Sequence, residues 1–411
     1  IADYNISISL DSMYYKYYSG RAYSYKKLKN YEKALLDYTK SIKLEPKNEE
    51  LYFERGIFYE YNLEKSQKAI EDINAAIKLN SNKENFFIEL ARIYGNLNKN
   101  EEALQNFDKA LKLNNEDPLI YYYRTTVYQN NEEYDKAIAD YNKAIELDPK
   151  NDRFYFYRGL MYEEDIKDYD KAIADHKKAI ELDPEDSYYP NNLGYIYNVF
   201  KKDYSTALTY YLKAAELDPE KAVTWYNIAI IYKNDLEDYD NALKYYNKAI
   251  EVDSTSFDTY RSIGLLYQED LEDNDKALEY FNKAIDLEPE NSVNYYYRGK
   301  FFEGNIEDYD KAIADYKKAI ELDPNYGEAY FRLGYIYKRN KKDYSTGLTY
   351  YLKAGELNPK NGVTWNNIGV IYENELEDYE NALKYYNKAI KVDSTYFLAY
   401  RNIARLYMDQ L

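Results

Sequence analysis

The 411 residues contain one histidine, His176, and no cysteine. A thiolate nucleophile, a disulfide and a thiolate metal site are therefore excluded, and imidazole acid–base chemistry has a single candidate. His176 occupies the position that Tyr141 and Tyr316 hold in related stretches, which reads it as a packing replacement. The 57 tyrosines are the other chemical possibility. Most recur on a few fixed registers: Tyr18, Tyr52 and Tyr155; Tyr59, Tyr128 and Tyr162; Tyr169 and Tyr239; Tyr141 and Tyr246. Recurrence of that kind is what ring packing demands. The acidic runs Glu132-Glu133 and Glu163-Glu164-Asp165 read as solvated turns. They lack the alternating oxygen ligands and glycine turn of a calcium loop. There is no phosphate-cradling glycine loop and no Ser/His/Asp set. The expectation is a protein that is not an enzyme and carries no cofactor and no metal.

The elements that position these residues are helical. Hydrophobic residues make up 45% and charged residues 31% of the chain, a globular balance, with only 14 Gly and 9 Pro to make turns. A net charge of −18 argues against nucleic acid and against an anionic membrane surface, both of which need clustered cations. No apolar run approaches the ~18 residues of a membrane span. Composition leaves the compartment open, with the cytoplasm as the expectation.

Self-comparison gives a step of 34 or 35 residues. A small residue recurs at Ala34, Ala69, Ala103, Ala137, Ala172, Ala207, Ala242, Ala277, Ala312, Gly347 and Ala382. We number the repeats one to eleven in that order. Each small residue opens a stretch such as KAIADYNKAIELDP, apolar at helical spacing, and seven stretches stop at a proline. A first helix precedes each one. It carries an anchor, a small residue four later and an aromatic seven later, as in Trp225, Ala229, Tyr232 and Trp365, Gly369, Tyr372.

This pattern resembles the tetratricopeptide repeat over essentially the whole chain. The resemblance implies an all-α, right-handed superhelical solenoid of antiparallel helix pairs, with about eleven full repeats and a partial one at each end. The expected layout is one continuous solenoid over 1–411. Residues 1–14 are the remnant of a second helix, 15–396 the eleven repeats, and 397–411 a terminal helix ending at Leu411. The chain departs from the family pattern in three ways. Most repeats carry one extra residue, placed in the turn (Leu236-Glu-Asp-Tyr239); Ser81, Asn115, Ser254 and Ser394 replace the terminating proline; and Pro190 replaces an anchor. A longer period of 140 residues makes 155–271 and 295–411 duplicated four-repeat blocks. The first residues match the interior of a second helix, so the chain is expected to be a fragment. Gly347 and Gly355, opposite Ala207 and Ala215, mark the tenth repeat as the softest.

In this family the residues one and five after the anchor face a concave groove. Here they include Phe53, Tyr122, Phe156, Tyr226, Tyr296 and Phe331, then Tyr23, Tyr195 and Tyr335. Two after the anchor stand Asn192, Asn227, Asn367 and Asn402, a register that holds ligand backbone in some relatives. The basic carboxylate clamp of chaperone-tail binders is absent: its paired positions read Ser19 and Tyr23, Phe53 and Ile57, Asn191 and Tyr195. The resemblance implies a scaffold that grips a protein or extended peptide in an aromatic, Asn-dotted groove between Tyr122 and Phe331. Groove carboxylates Glu163 and Glu303 suggest a neutral to basic partner. The alternatives are a self-assembling solenoid, with weak end-to-end association, and the substrate-recognition arm of a larger enzyme.

Overall fold

A repeat folds as a hairpin because its second helix has one apolar stripe that it cannot bury alone, and the largely apolar first helix covers it. In the seventh repeat the helices are Ala222–Asn234 and Tyr239–Val252. Between them Asp238 caps the second helix, its side chain accepting from the Asn241 backbone N–H at 3.1 Å. Ala242 and Tyr246 are buried where the helices meet. The computed structural model describes residues 1–409, and every regular element among them is helical. The eleven small residues each lie buried in a second helix, at the places expected.

The chain divides into two compact units, Ile1–Lys201 and Lys202–Leu411. The first begins with the helix Ala2–Leu10, whose Tyr4 ring packs against Gly20. Hairpins follow from Tyr15–Lys27 onward, each packing on the next. The second unit runs from the helix Tyr204–Leu217 to the helix Phe397–Asp409. Leu411, the expected end of that last helix, lies outside the described residues.

The extra residue of the longer repeats is not held where expected. In 34-residue repeats the turn closes five residues back, as in Asn30 N–H to Tyr25 O at 2.9 Å. In 35-residue repeats it closes six back, as in Asp238 N–H to Tyr232 O at 2.8 Å. Four first helices absorb the residue as a π-helical turn: Tyr162–Ile166, Tyr197–Lys201, Phe302–Ile306 and Tyr337–Lys341. After every first helix one residue then takes a left-handed backbone, and in none of the eleven repeats is it glycine.

In nine of the eleven repeats the slot between the anchor ring and the ring seven later is filled in one of two ways. In repeats 1, 2, 4, 5 and 9 an arginine three after the anchor bridges an aspartate of the second helix: Arg21–Asp37, Arg55–Asp72, Arg124–Asp140, Arg158–Asp175 and Arg298–Asp315. Elsewhere an aliphatic residue replaces the arginine, and in four of these repeats a tyrosine stacks in the slot. Tyr245 lies between Trp225 and Tyr232, with ring centres at 6.0 and 5.4 Å.

Candidate binding surface

In the first unit, the first helices carry the rings chosen from the sequence, but packing claims most of their area. Phe53 is half-buried against Phe86 at 4.7 Å and lines a pocket of about 420 Å³ with Tyr23, Lys26 and Glu54. Burial pushes the Tyr38 hydroxyl at the floor of that pocket up to about 12. Tyr122 is held by Tyr141, Phe154 and Tyr157. Phe156 is not a groove residue: it is 4% exposed, covered by Tyr188 and Tyr189 of the next repeat. Tyr195 is exposed. Asn192 donates its amide to the Tyr188 carbonyl one turn back, at 2.7 Å.

The second unit carries the remaining predicted rings on its first helices. Tyr226 shares a hydrogen bond with Ser262 and lines a shallow pocket with Val223 and Asp258. Tyr296 and Phe331, on successive first helices, line one pocket with Arg332. Their inner faces rest on Tyr316 and Tyr351. Tyr335 opens on a second, larger pocket and accepts a hydrogen bond from Arg339. Asn227 is half-buried with its amide unengaged among the described residues. Asn367 receives Lys338 Nζ at 3.5 Å, and burial holds that ammonium below its usual range. Asn402 is buried and donates to Asn366 at 3.0 Å. The asparagine register is therefore largely occupied within the protein.

Of the two carboxylates that suggested a neutral to basic partner, one is buried and the other is hydrogen-bonded within the protein. Glu163 belongs to a π-helical turn, not a solvated loop; it is 6% exposed, with one oxygen 3.6 Å from His176 Nε2. Glu303 accepts from the Tyr316 hydroxyl at 2.6 Å and from Arg332 at 3.4 Å. Glu163 is closed off by burial and Glu303 by its hydrogen bonds, so neither is free to select a cation. Arg332 was missed because it takes the asparagine register in the tenth repeat. The signal available in the sequence was its difference from Asn192, 140 residues earlier.

Tetratricopeptide repeat profiles match residues 15–48, 85–117, 152–186, 191–221, 220–288, 327–361 and 363–396. A TPR repeat profile adds 127–165 and 306–341. The chain belongs to the tetratricopeptide repeat family. As a tetratricopeptide array it is a protein-interaction scaffold. Solved structures similar to it include YrrB, described as a TPR protein with an unusual peptide-binding site. It is 28% identical over 47% of this chain and 97% of its own, with a TM-score of 0.37. Yeast Tom70 is 17% identical over 96% of this chain and 95% of its own, at 0.48. MamA is 25% identical over 41% of this chain and 95% of its own, at 0.37. No curated protein matches the sequence. Among the described residues no helix is long and apolar enough to cross a membrane.

Proposed function

We propose that the chain binds a protein or an extended peptide on the first-helix face, with Tyr296 and Phe331 as its principal anchors. The observation that carries this reading is their placement. Two half-buried rings on successive helices are braced from behind by Tyr316 and Tyr351 and line one open pocket with Arg332. Rings fixed in this way lose little freedom on binding, which is why aromatic and arginine side chains dominate interfaces. Asn227 supplies an unengaged amide that both donates to and accepts from a peptide backbone.

The test is selection of binders from a displayed random-peptide library, then titration against paired variants. Tyr296→Ala with Phe331→Ala is expected to weaken the selected peptides by roughly 2–4 kcal/mol. Lys283→Ala with Lys353→Ala, exposed on second helices, should leave affinity unchanged. Equal losses from both pairs would reject the first-helix face.

A further inference from the structure

We propose that the pocket between the first helices of the ninth and tenth repeats, Ser292–Phe301 and Gly327–Ile336, takes an acidic side chain of a peptide partner. The proposal rests on the scaffold reading and adds to it a ligand chemistry. The pocket, about 520 Å³, is formed where both helices run on into π-helical turns, which contribute Glu303, Asn305, Arg339 and Asn340 to its wall.

Three cations line it: Lys300, Arg332 and Arg339. Only Arg332 meets a carboxylate, Glu303, at a long 3.4 Å, and the other oxygen of Glu303 is taken by Tyr316. Arg339 donates to the Tyr335 hydroxyl, and the Lys300 ammonium lies 5.6 Å from the Tyr297 ring centre. Neither has a carboxylate partner among the described residues. Unpaired positive charges converge here on a chain whose net charge is −18.

The duplicated block shows that this is not a requirement of the fold. In the first copy Leu160, Asn192 and Val199 stand where the second has Lys300, Arg332 and Arg339. Glu164 and Asp165 stand where the second has Gly304 and Asn305. In the first copy the Phe200 ring lies flat on Tyr169 at 4.0 Å; its counterpart Asn340 is a small polar side chain on the pocket wall. One copy thus has three carboxylates and no cation at these positions, the other three cations and one carboxylate. The surrounding tyrosines, Tyr169 and Tyr309, Tyr195 and Tyr335, are kept. Charge was changed while the frame was held.

A carboxylate entering the pocket gains charge-assisted hydrogen bonds, which guanidinium groups make bidentate.

The experiment is fluorescence anisotropy on the full chain, with a labelled glutamate-rich peptide and a twin in which every glutamate is glutamine. The acidic peptide should bind at least about tenfold more tightly, and added salt should erode the difference. Lys300→Leu, Arg332→Asn and Arg339→Val together install residues that the first copy already folds around, and should abolish the preference with helicity and melting retained. Arg339→Gln, at an exposed position, should reduce it alone. Equal binding of the two peptides, or a preference that survives the triple swap, overturns the acidic site and leaves the scaffold reading standing. Binding of neither peptide also overturns it. Displacement by inorganic phosphate at the concentration of the peptide would reassign the pocket to a free anion.

Discussion

In the ninth repeat Arg298 donates two parallel hydrogen bonds to Asp315, each 2.8 Å, from Nε and Nη2 to the two carboxylate oxygens. Its guanidinium lies 5.7 and 6.0 Å from the Tyr295 and Phe302 ring centres. In the eighth repeat the same two positions are Ile263 and Tyr280, and the Tyr280 ring fills the slot between Tyr260 and Tyr267. The two fillings are alternative solutions to one space. Arg298→Ile alone leaves a nearly buried carboxylate unpaired and should cost roughly 3 kcal/mol. Arg298→Ile with Asp315→Tyr should recover at least about 1 kcal/mol of that. Urea unfolding of both singles and the double decides it: additive losses would reject the exchange.

His176 shares its slot with a tyrosine elsewhere. An added Cβ at Gly159 would meet the His176 ring at 2.9 Å, and one at Gly299 would meet the Tyr316 ring at 2.8 Å, so the cavities correspond. Tyr316 reaches Glu303, whereas both His176 nitrogens and Glu163 Oε2 are buried without a hydrogen bond. His176→Tyr should therefore form the missing bond and raise stability by about 1 kcal/mol. A lower melting temperature for the variant would show that the imidazole is the better fit.

The left-handed residue after each first helix is strained wherever it has a side chain that prefers other backbone. Glu237 has φ 52° and Glu272 has φ 53°. Asparagine tolerates this conformation through local hydrogen bonding, without the unfolded-state entropy of glycine. Glu237→Asn should stabilise by roughly 0.5 kcal/mol, read as a higher urea midpoint with an unchanged slope.

The aspartates that cap second helices contribute to the response to acid. Asp203, Asp238, Asp343 and Asp378 are held below the usual carboxylate range by side-chain and backbone hydrogen bonds from Thr206, Asn241, Thr346 and Asn381. Because their folded values are depressed, the stability they give is complete above the unfolded carboxylate value of about 3.9. It is lost as pH falls through the folded values. The melting temperature should hold from neutrality to near pH 4 and drop below it. Asp238→Asn, which keeps an acceptor but cannot titrate, should make that drop shallower; an unchanged acid profile would remove the caps from the explanation.

Much of the fold was legible because burial repeats. Ala34, Ala137 and Ala242 stand where two helices touch, and no larger side chain fits a contact that recurs every 34 or 35 residues. The surface was less legible because one register does not say what the next repeat lays over it. Phe156 is covered by Tyr188 and Tyr189, while Tyr296, its counterpart in the second copy, still lines a pocket beside Tyr326. Glu163 was misplaced because the extra residue could lie in a loop or in a π-helical turn, and periodicity does not separate the two. The pairing of arginine with aspartate and of aliphatic residues with tyrosine was visible in the sequence, but it became meaningful only once those positions were seen to share a slot.

Gly355 decides how the tenth repeat responds to helix repair. Two glycines lie in its second helix, and each costs roughly 1 kcal/mol relative to alanine by propensity alone. The two sites nevertheless differ. A Cβ at Gly347 would lie 3.1 Å from Lys338 N and 3.2 Å from Gly334 O, tight but above overlap, and Ala207 occupies the same register in the first copy. A Cβ at Gly355 would lie 2.4 to 2.9 Å from three atoms of the Trp365 indole, a rigid ring that cannot fold away. Opposite Ala215 in the first copy, Trp225 is half-buried; Trp365 is only 3% exposed and stacks on Tyr385 at 6.1 Å. The glycine lets the indole sink. Gly347→Ala should therefore stabilise by up to about 1 kcal/mol, whereas Gly355→Ala should displace the ring and give no gain or a loss of roughly 1–3 kcal/mol. Tryptophan fluorescence separates the two, since only Gly355→Ala should shift Trp365 emission toward that of a wetter indole. Equal stabilisation by both substitutions, with unchanged emission, would mean that the ring accommodates the methyl and that propensity alone governs this helix.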